Sequence, residues 1–452
     1  MTDDPETAQR PSVGADLGEL LRLAGPVVMA RLGIMVMGLT DAIIVGRYSG
    51  EQLAFHALGW APTSVIVTTA VGLLLGVQVM TARLVGQGRR RETGAVLRRG
   101  ISYAFWIGIA STLAMLALGP LFLRSLGLEP QLAAGASNAL LVFSLSLTPY
   151  LISVAATFYL EALSRPGPGM WSMWAANLVN LGLNLLFVPG AFGIPAMGAV
   201  GGAWATFGAR VFLMVVLLAW VWRMADAREL GVFDKPAPNR AEAAEQRRIG
   251  YGGGASYFVE TAAFSGMNLV AGWLGALVVA GYAVVLNVAA VIFMVPLGLS
   301  AATAVLVGRA YGARDRQGVA RAGWLGFGVA MVFGGLVSAL VWPLAPAIAG
   351  AYTRQPELVA LAAPALVLSC LFFAADSLQV VAAQALRARG EVWLPTVTHV
   401  ISYAAIMAPL AWWLAHPMKL GLNGIIWAVI LASLVSAGCL VGRFWFLGRR
   451  PL

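Results

Sequence analysis

Leu371 to Gly390, LFFAADSLQVVAAQALRARG, sets one carboxylate, Asp376, inside an apolar run long enough to cross a bilayer. An ionised Asp at mid-membrane costs roughly 2.5–3.5 kcal/mol on insertion scales, so it calls for a partner, a proton or a function. On a helix, Phe372 lies one turn before Asp376, and Gln379 and Ala383 lie one and two turns after it. One face thus carries an aromatic ring, an acid, an amide and a small residue, and reads as a cation site. The alternative is a protonated Asp376 hydrogen-bonded to a neighbouring helix, since polar side chains also hold membrane helices together.

The rest of the chain is of the same kind. Of its 452 residues 60% are hydrophobic and only 11% charged, so it is a polytopic membrane protein. Apolar runs predict twelve helices, near 18–46, 52–84, 101–124, 134–163, 170–189, 199–222, 250–273, 277–308, 324–349, 358–386, 392–415 and 422–446. Gly, Pro and Arg punctuate their ends, as in Arg165-Pro-Gly-Pro-Gly169. The amino terminus, MTDDPETAQRPSVGAD, is acid-rich and has no basic start of the kind a cleaved signal shows, so the first hydrophobic helix is expected to stay.

The net charge of +10 follows the loops. One side carries Arg89 to Arg91, Arg98, Arg99, Arg165, a polar linker with Arg240, Arg247 and Arg248, then Arg309, Arg314, Arg316, Arg321, Arg387, Arg389, Arg449 and Arg450. The other side has little beyond Arg47, Arg124, Arg354 and Lys419. This is the positive-inside pattern, not a nucleic-acid footprint, and it predicts both termini in the cytoplasm. Cys370 and Cys439 lie in apolar runs, and His56, His399 and His416 are scattered. Neither a disulfide framework, nor a His-based metal centre, nor the residue cluster of a membrane-embedded enzyme is expected.

Met224 to Gly250 divides the chain into related halves. Gly88-Arg-Arg-Arg-Glu-Thr-Gly94 after the second helix matches Gly312-Ala-Arg-Asp-Arg-Gln-Gly318 after the eighth, and Ala162-Leu163 matches Ala385-Leu386. An even number of spans per half makes this a parallel repeat, with a substrate path expected between the halves. The expected organisation is a tail at 1–17, a six-helix bundle at 18–223, a linker at 224–249, a second bundle at 250–447 and a tail at 448–452.

Four acids fall inside apolar runs: Asp41, Glu161, Glu260 and Asp376. Glu260 lies ten residues from Gly250 and Asp376 eleven from Arg387, so both sit roughly 15–16 Å from the basic ends of their helices. Two carboxylates at one depth can share one cation, Na⁺ for example, or a proton. Asp41, nineteen residues past Arg22, lies roughly 28 Å along its helix and makes a separate site in the first half. Glu161 is expected to pair with Arg165 at i, i+4. Asn177, Asn180 and Asn184 form one polar stripe, which serves either as packing glue or as a substrate-facing lining. Arg210 reads as a structural counter-charge; Arg31 stays open. Trp60, Phe258 and Phe264 are candidates to line a cavity for a lipophilic cation.

At these residues the chain resembles the multidrug and toxic compound extrusion (MATE) family, in its NorM-like branch. The segments are Pro26 to Gly46 ending TDAIIVG, ALSRPGPGMWSMWAANLVNLGLNLLF, FGIPAMGAVGGAWAT, YFVETAAF around Glu260 and DSLQVVAAQALR from Asp376. The resemblance spans about residues 18–446 and implies two six-helix bundles in the bacterial inner membrane. It implies antiport, with Na⁺ or H⁺ entering as an amphipathic organic cation leaves, and no other cofactor. Glu260 and Asp376 match the family's carboxyl-terminal cation site, Phe372 its nearby aromatic, and Asp41 the first-helix acid, with Asn180 and Asn184 beside it; the lean toward Na⁺ comes from the resemblance alone. Ile34 and Ala283 stand where similar sequences often carry Gln, and Tyr282 where His is frequent. The expected partners are small organic cations, the coupling ion and the lipid bilayer, with no nucleic acid, and the expected state is a monomer. A flippase of lipid-linked precursors in the same superfamily and a carrier of another twelve-helix fold are the rival readings.

Overall fold

The computed structural model describes residues 13–235 and 239–450. Parts of the two expected tails, 1–12 and 451–452, and residues 236–238 of the linker lie outside it. The described residues form α1 (Val13–Tyr48), α2 (Gly50–Leu73), α3 (Leu75–Gly86), α4 (Thr93–Ser125), α5 (Pro130–Leu145), α6 (Leu147–Ala162), α7 (Gly167–Phe187) and α8 (Gly198–Arg223) in the first half. The second half holds α9 (Arg240–Leu274), α10 (Ala276–Gly312), α11 (Arg316–Tyr352), α12 (Pro356–Arg389), α13 (Trp393–His399), α14 (Ala408–Ala415) and α15 (Gly421–Gly448). There is no strand among the described residues.

Twelve spans result, because three are each made of more than one segment. α2 and α3 meet at Leu74, α5 and α6 at Ser146, and the eleventh span runs through a π-helical stretch, Val400–Met407, between α13 and α14. Ten spans are long and apolar enough to cross a membrane on that criterion alone. The two that fall short are α7 and α9, which carry the asparagine stripe and Glu260. Polar side chains inside these two spans lower their apolarity, while α1 and α12, which carry Asp41 and Asp376, remain apolar enough to qualify.

Some helices begin well before the apolar run does. α9 starts at Arg240 rather than near 250, because Asn239 accepts from the Glu242 amide at 3.1 Å. α11 starts at Arg316 rather than near 324, capped by Asp315 accepting from Gly318 N at 2.9 Å. Charged residues extend a capped helix into water, where a hydropathy window does not see it.

The internal repeat is visible in the helix boundaries. Gly50 and Ala276, Gly86 and Gly312, Pro130 and Pro356, and Gly167 and Trp393 are helix boundaries that lie 226 residues apart. The same offset relates the contacts between the halves. Arg83 donates through Nε to the Ala388 carbonyl and through Nη2 to the Arg387 carbonyl, both at 3.0 Å. Its counterpart Arg309 donates to the Ala162 carbonyl at 2.9 Å. Arg83 pairs with Glu245 at 3.6 Å, and Arg309 with Glu19 at 3.8 Å. Each arginine, carbonyl and carboxylate has its partner 226 residues away, so the halves meet as an isologous pair about a pseudo-twofold axis.

Glycines permit this approach. A Cβ on Gly86 would overlap the Arg309 carbonyl, and one on Gly312 would overlap the Arg83 carbonyl. Where lipid supplies no hydrophobic drive between helices, small residues that let backbones meet supply the packing instead. Further cross-half polar contacts among the described residues lie at the same basic end: Arg89 and Arg99 with Glu242, Arg321 with Asp16 at 2.7 Å, and Gln246 Nε2 with the Val96 carbonyl at 3.1 Å. The two bundles are thus closed against each other on the arginine-rich face.

Gly86→Val and Gly312→Val should each lower stability by roughly 1–3 kcal/mol, the range for overpacking. Because the two sites are equivalent, the losses in a thermal unfolding assay should be alike. Gly38→Ala, which meets open space, should leave the midpoint unchanged.

Candidate functional site

α9 and α12 bring Glu260 and Asp376 together. Gln379, one turn beyond Asp376, donates its Nε2 to Glu260 Oε1 at 3.2 Å and to Asp376 Oδ1 at 3.4 Å. Both carboxylates therefore reach one point, and the Gln379 Oε1 is buried without a partner. The pair opens on a cavity of about 350 Å³ lined by Phe372, Phe264, Phe293 and Met294, with Thr68 of the first half on its wall. Phe372 is buried and leans on Phe373, ring centroids 4.9 Å apart. Two acids and an amide thus meet beside an aromatic wall, the kind of chemistry that a cation would require.

A polar track continues along α12 toward the basic face. Gln384 donates to the Tyr257 hydroxyl at 2.9 Å and accepts from Arg387 Nη1 at 3.1 Å. Arg387, counted in the sequence as a loop arginine, is 1% exposed inside α12. Its Nε and Nη2 have no partner among the described residues.

The second cluster lies in the first half. Asp41 accepts from Asn180 at 3.0 Å, from Asn184 at 2.6 Å and from Thr206 at 2.6 Å. α1, α7 and α8 each supply a group, and Asp41 is almost fully buried. The asparagine stripe divides its work: Asn177 donates to the Gly33 and Met173 carbonyls at 3.0 and 2.9 Å, a packing contact, while the other two serve Asp41. Arg210, one turn after Thr206, donates to Ser146 Oγ at 2.8 Å at the α5–α6 break and stacks on Tyr150.

Three expectations change. Glu161 does not pair with Arg165. It takes Arg31 at 3.5 Å and Gln78 at 2.7 Å, because its side chain points into the bundle while Arg165 lies past the end of α6. Arg165 instead grips Asp226 through two bonds of 2.7 and 2.8 Å, which hold that carboxyl below its ordinary range. Arg31 is thereby accounted for as the counter-charge of Glu161. Trp60 does not line the cavity beside Glu260 and Asp376; it packs on Phe143 and under Arg210 in the first half. Phe258 is half exposed on another groove, and only Phe264 of the three aromatics lines the cavity.

Sequence reasoning overlooked Gln78, Thr206, Tyr257, Gln384 and the depth of Arg387. Gln78 and Gln384 carried a signal, each an amide inside an apolar run. Thr206 and Tyr257 carried none, since hydroxyls are common in membrane helices.

A family model described as MatE matches residues 26–186 and again 254–413. The chain is 61% identical over 446 residues to a probable multidrug resistance protein NorM of Caulobacter vibrioides, covering 99% of this chain and 94% of the relative. It is 30% identical over 439 residues to multidrug resistance protein PmpM of Pseudomonas aeruginosa, covering 95% and 91%. Its fold is similar to that of the eukaryotic MATE transporter AtDTX14, with a TM-score of 0.87 at 19% identity over 96% of each chain.

Arg31→Met alone leaves a buried carboxylate uncompensated and should cost roughly 3–5 kcal/mol. Arg31→Met with Glu161→Gln should recover most of that loss in detergent unfolding. A double variant as unstable as the single one would remove the ion pair from the account.

Proposed function

The chain belongs to the MatE family of multi-pass membrane transporters, and on that premise we propose that it exports amphipathic organic cations in exchange for Na⁺ or H⁺. The observation that carries this reading is the pair Glu260 and Asp376, held to one amide and opening on an aromatic cavity between the halves. The names of the two bacterial relatives point the same way.

In this reading the pair binds the coupling ion. Rotating the Gln379 amide by half a turn brings its unpartnered Oε1 toward the carboxylates, so two acids and an amide oxygen meet a hard cation such as Na⁺. With a proton instead, one carboxylic acid donates to the other carboxylate, since two like charges so close repel. Phe372 and Phe264 offer ring faces to the organic cation. Asp41, with Asn180, Asn184 and Thr206, makes the second acidic site, in the first half.

Coupling needs differential affinity of the ion for two states. The described state is closed on the basic face by the Arg83 and Arg309 contacts, and the opposite state requires those contacts to part. The arginine distribution supports a location in the bacterial inner membrane with the basic face and both termini in the cytoplasm. All of these groups lie within one chain, so a monomer suffices.

The test is efflux of a fluorescent organic cation from proteoliposomes, driven by a Na⁺ gradient at fixed pH or by a pH gradient without Na⁺. One gradient should drive transport, and Asp376→Asn should reduce it by roughly 5–150-fold, the range of a coupling free energy of ~1–3 kcal/mol. Efflux indifferent to both gradients, or unchanged in the variant, would refute the coupling role.

A further inference from the structure

The pseudo-twofold axis creates two seams where the halves meet on the basic face, and their chemistry differs. The seam between α4 and α9 holds a cleft of about 420 Å³ lined by Arg98, Arg99, Tyr103, Trp106 and Arg247, with no acid in its wall. The equivalent seam, between α1 and α11, holds one of about 440 Å³. Arg99 and Gln246 of the first cleft correspond at the 226-residue offset to Leu325 and Leu20 of the second. The second cleft is lined by Asp16, Glu19 and Asp315 with Arg309 and Arg321, so three acids face two arginines. Similar volume with unlike charge separates what each seam can hold.

The first cleft also has a vertical order. Arg98 and Arg99 lie five and six residues into α4, roughly 8–9 Å from its start, at the level where the apolar run begins at Ile101. Tyr103 and Trp106 lie below them, and Trp106 is 64% exposed on the lipid-facing surface. Cations at headgroup depth above amphipathic rings match a phospholipid from phosphate to acyl chain. The volume suits a polar headgroup, within the ~300–1,000 Å³ of small-molecule sites.

Donors remain for an anion. Arg99 gives Nε to Gln246 at 3.1 Å and Nη2 to Glu242 at 3.3 Å, which leaves Nη1. Arg98 holds the Gly231 and Val232 carbonyls through Nη1 and has a buried Nε, so it adds positive charge to the wall more than a free donor. Arg247 is exposed and forms no hydrogen bond or ion pair with the described residues. Three guanidiniums line the cleft and no carboxylate does; the acids nearest them, Glu242 and Asp234, lie outside the lining, paired with Arg89 and Arg99 and with Arg91.

We propose that the α4–α9 cleft binds the phosphate of an anionic phospholipid, its acyl chains lying over Trp106. Such a lipid bridges the two halves, since α4 belongs to one and α9 to the other, and it favours the state closed on the basic face. The proposal needs the membrane and the fold, and is independent of which ion drives transport.

The test is thermal unfolding of the full-length protein in detergent, titrated with dioleoylphosphatidylglycerol, dioleoylphosphatidylcholine or inorganic phosphate. Phosphatidylglycerol should raise the midpoint saturably, and the other two should not. Arg247→Ala should weaken the response about fivefold and Arg247→Glu about thirtyfold, as one and two surface charges are worth near a membrane. Arg354→Ala, on the opposite face, should respond as wild type does. The Arg247 side chain is exposed, so unchanged midpoints without lipid will show that the variants fold. An undiminished response in Arg247→Glu, or an equal response to phosphatidylcholine or free phosphate, would overturn the assignment.

Discussion

The reciprocal grip of Arg83 and Arg309 on the carbonyl ends of the opposite half is the constraint on which the rest of this structure depends. Each guanidinium ties the last turn of a helix in the other bundle, where carbonyls lack the partner one turn further on that mid-helix carbonyls have. The glycines that let the backbones meet, Gly86 and Gly312, stand beside these arginines. Together with the helix packing of α1, α2 and α3 on α9 and α10, this contact fixes how the two bundles sit against each other. With it, the cavity beside Glu260 and Asp376 is closed on the basic face and walled by both halves.

Symmetry also explains where the chemistry is placed. Equivalent positions have diverged to opposite charge: Glu161 in one half corresponds to Arg387 in the other, and both are buried. Arg31, partner of Glu161, corresponds to Tyr257, which is linked through Gln384 to Arg387. A repeat that supplies the same scaffold twice can give each copy its own polar network, because the burial comes from the scaffold and the charge from single substitutions. The same divergence separates the basic seam from the acidic one.

Membrane physics made a large part of this protein legible. Spans, halves and the depth of the acids follow from apolarity and helix rise, since nothing else satisfies a backbone in lipid. The pair Glu260 and Asp376 was legible because an acid in an apolar run is rare enough to be informative. What failed was partner choice among nearby candidates. Arg165 lies one turn from Glu161 in sequence, yet the chain leaves the helix before it, and Arg31, 130 residues away, takes its place.

The sequence by itself determined that this is a membrane protein of twelve helices in two related halves, with acids inside apolar spans and arginines gathered in the loops of one side. Those are properties of single segments measured against the bilayer. Tertiary structure alone decided that Gln379 would bridge two carboxylates, that Thr206 and two asparagines would surround Asp41, and that Arg387 would be buried. Helical periodicity says which residues share a face, whereas the rotation of one helix against another, set by packing at glycines and carbonyls, says which faces meet.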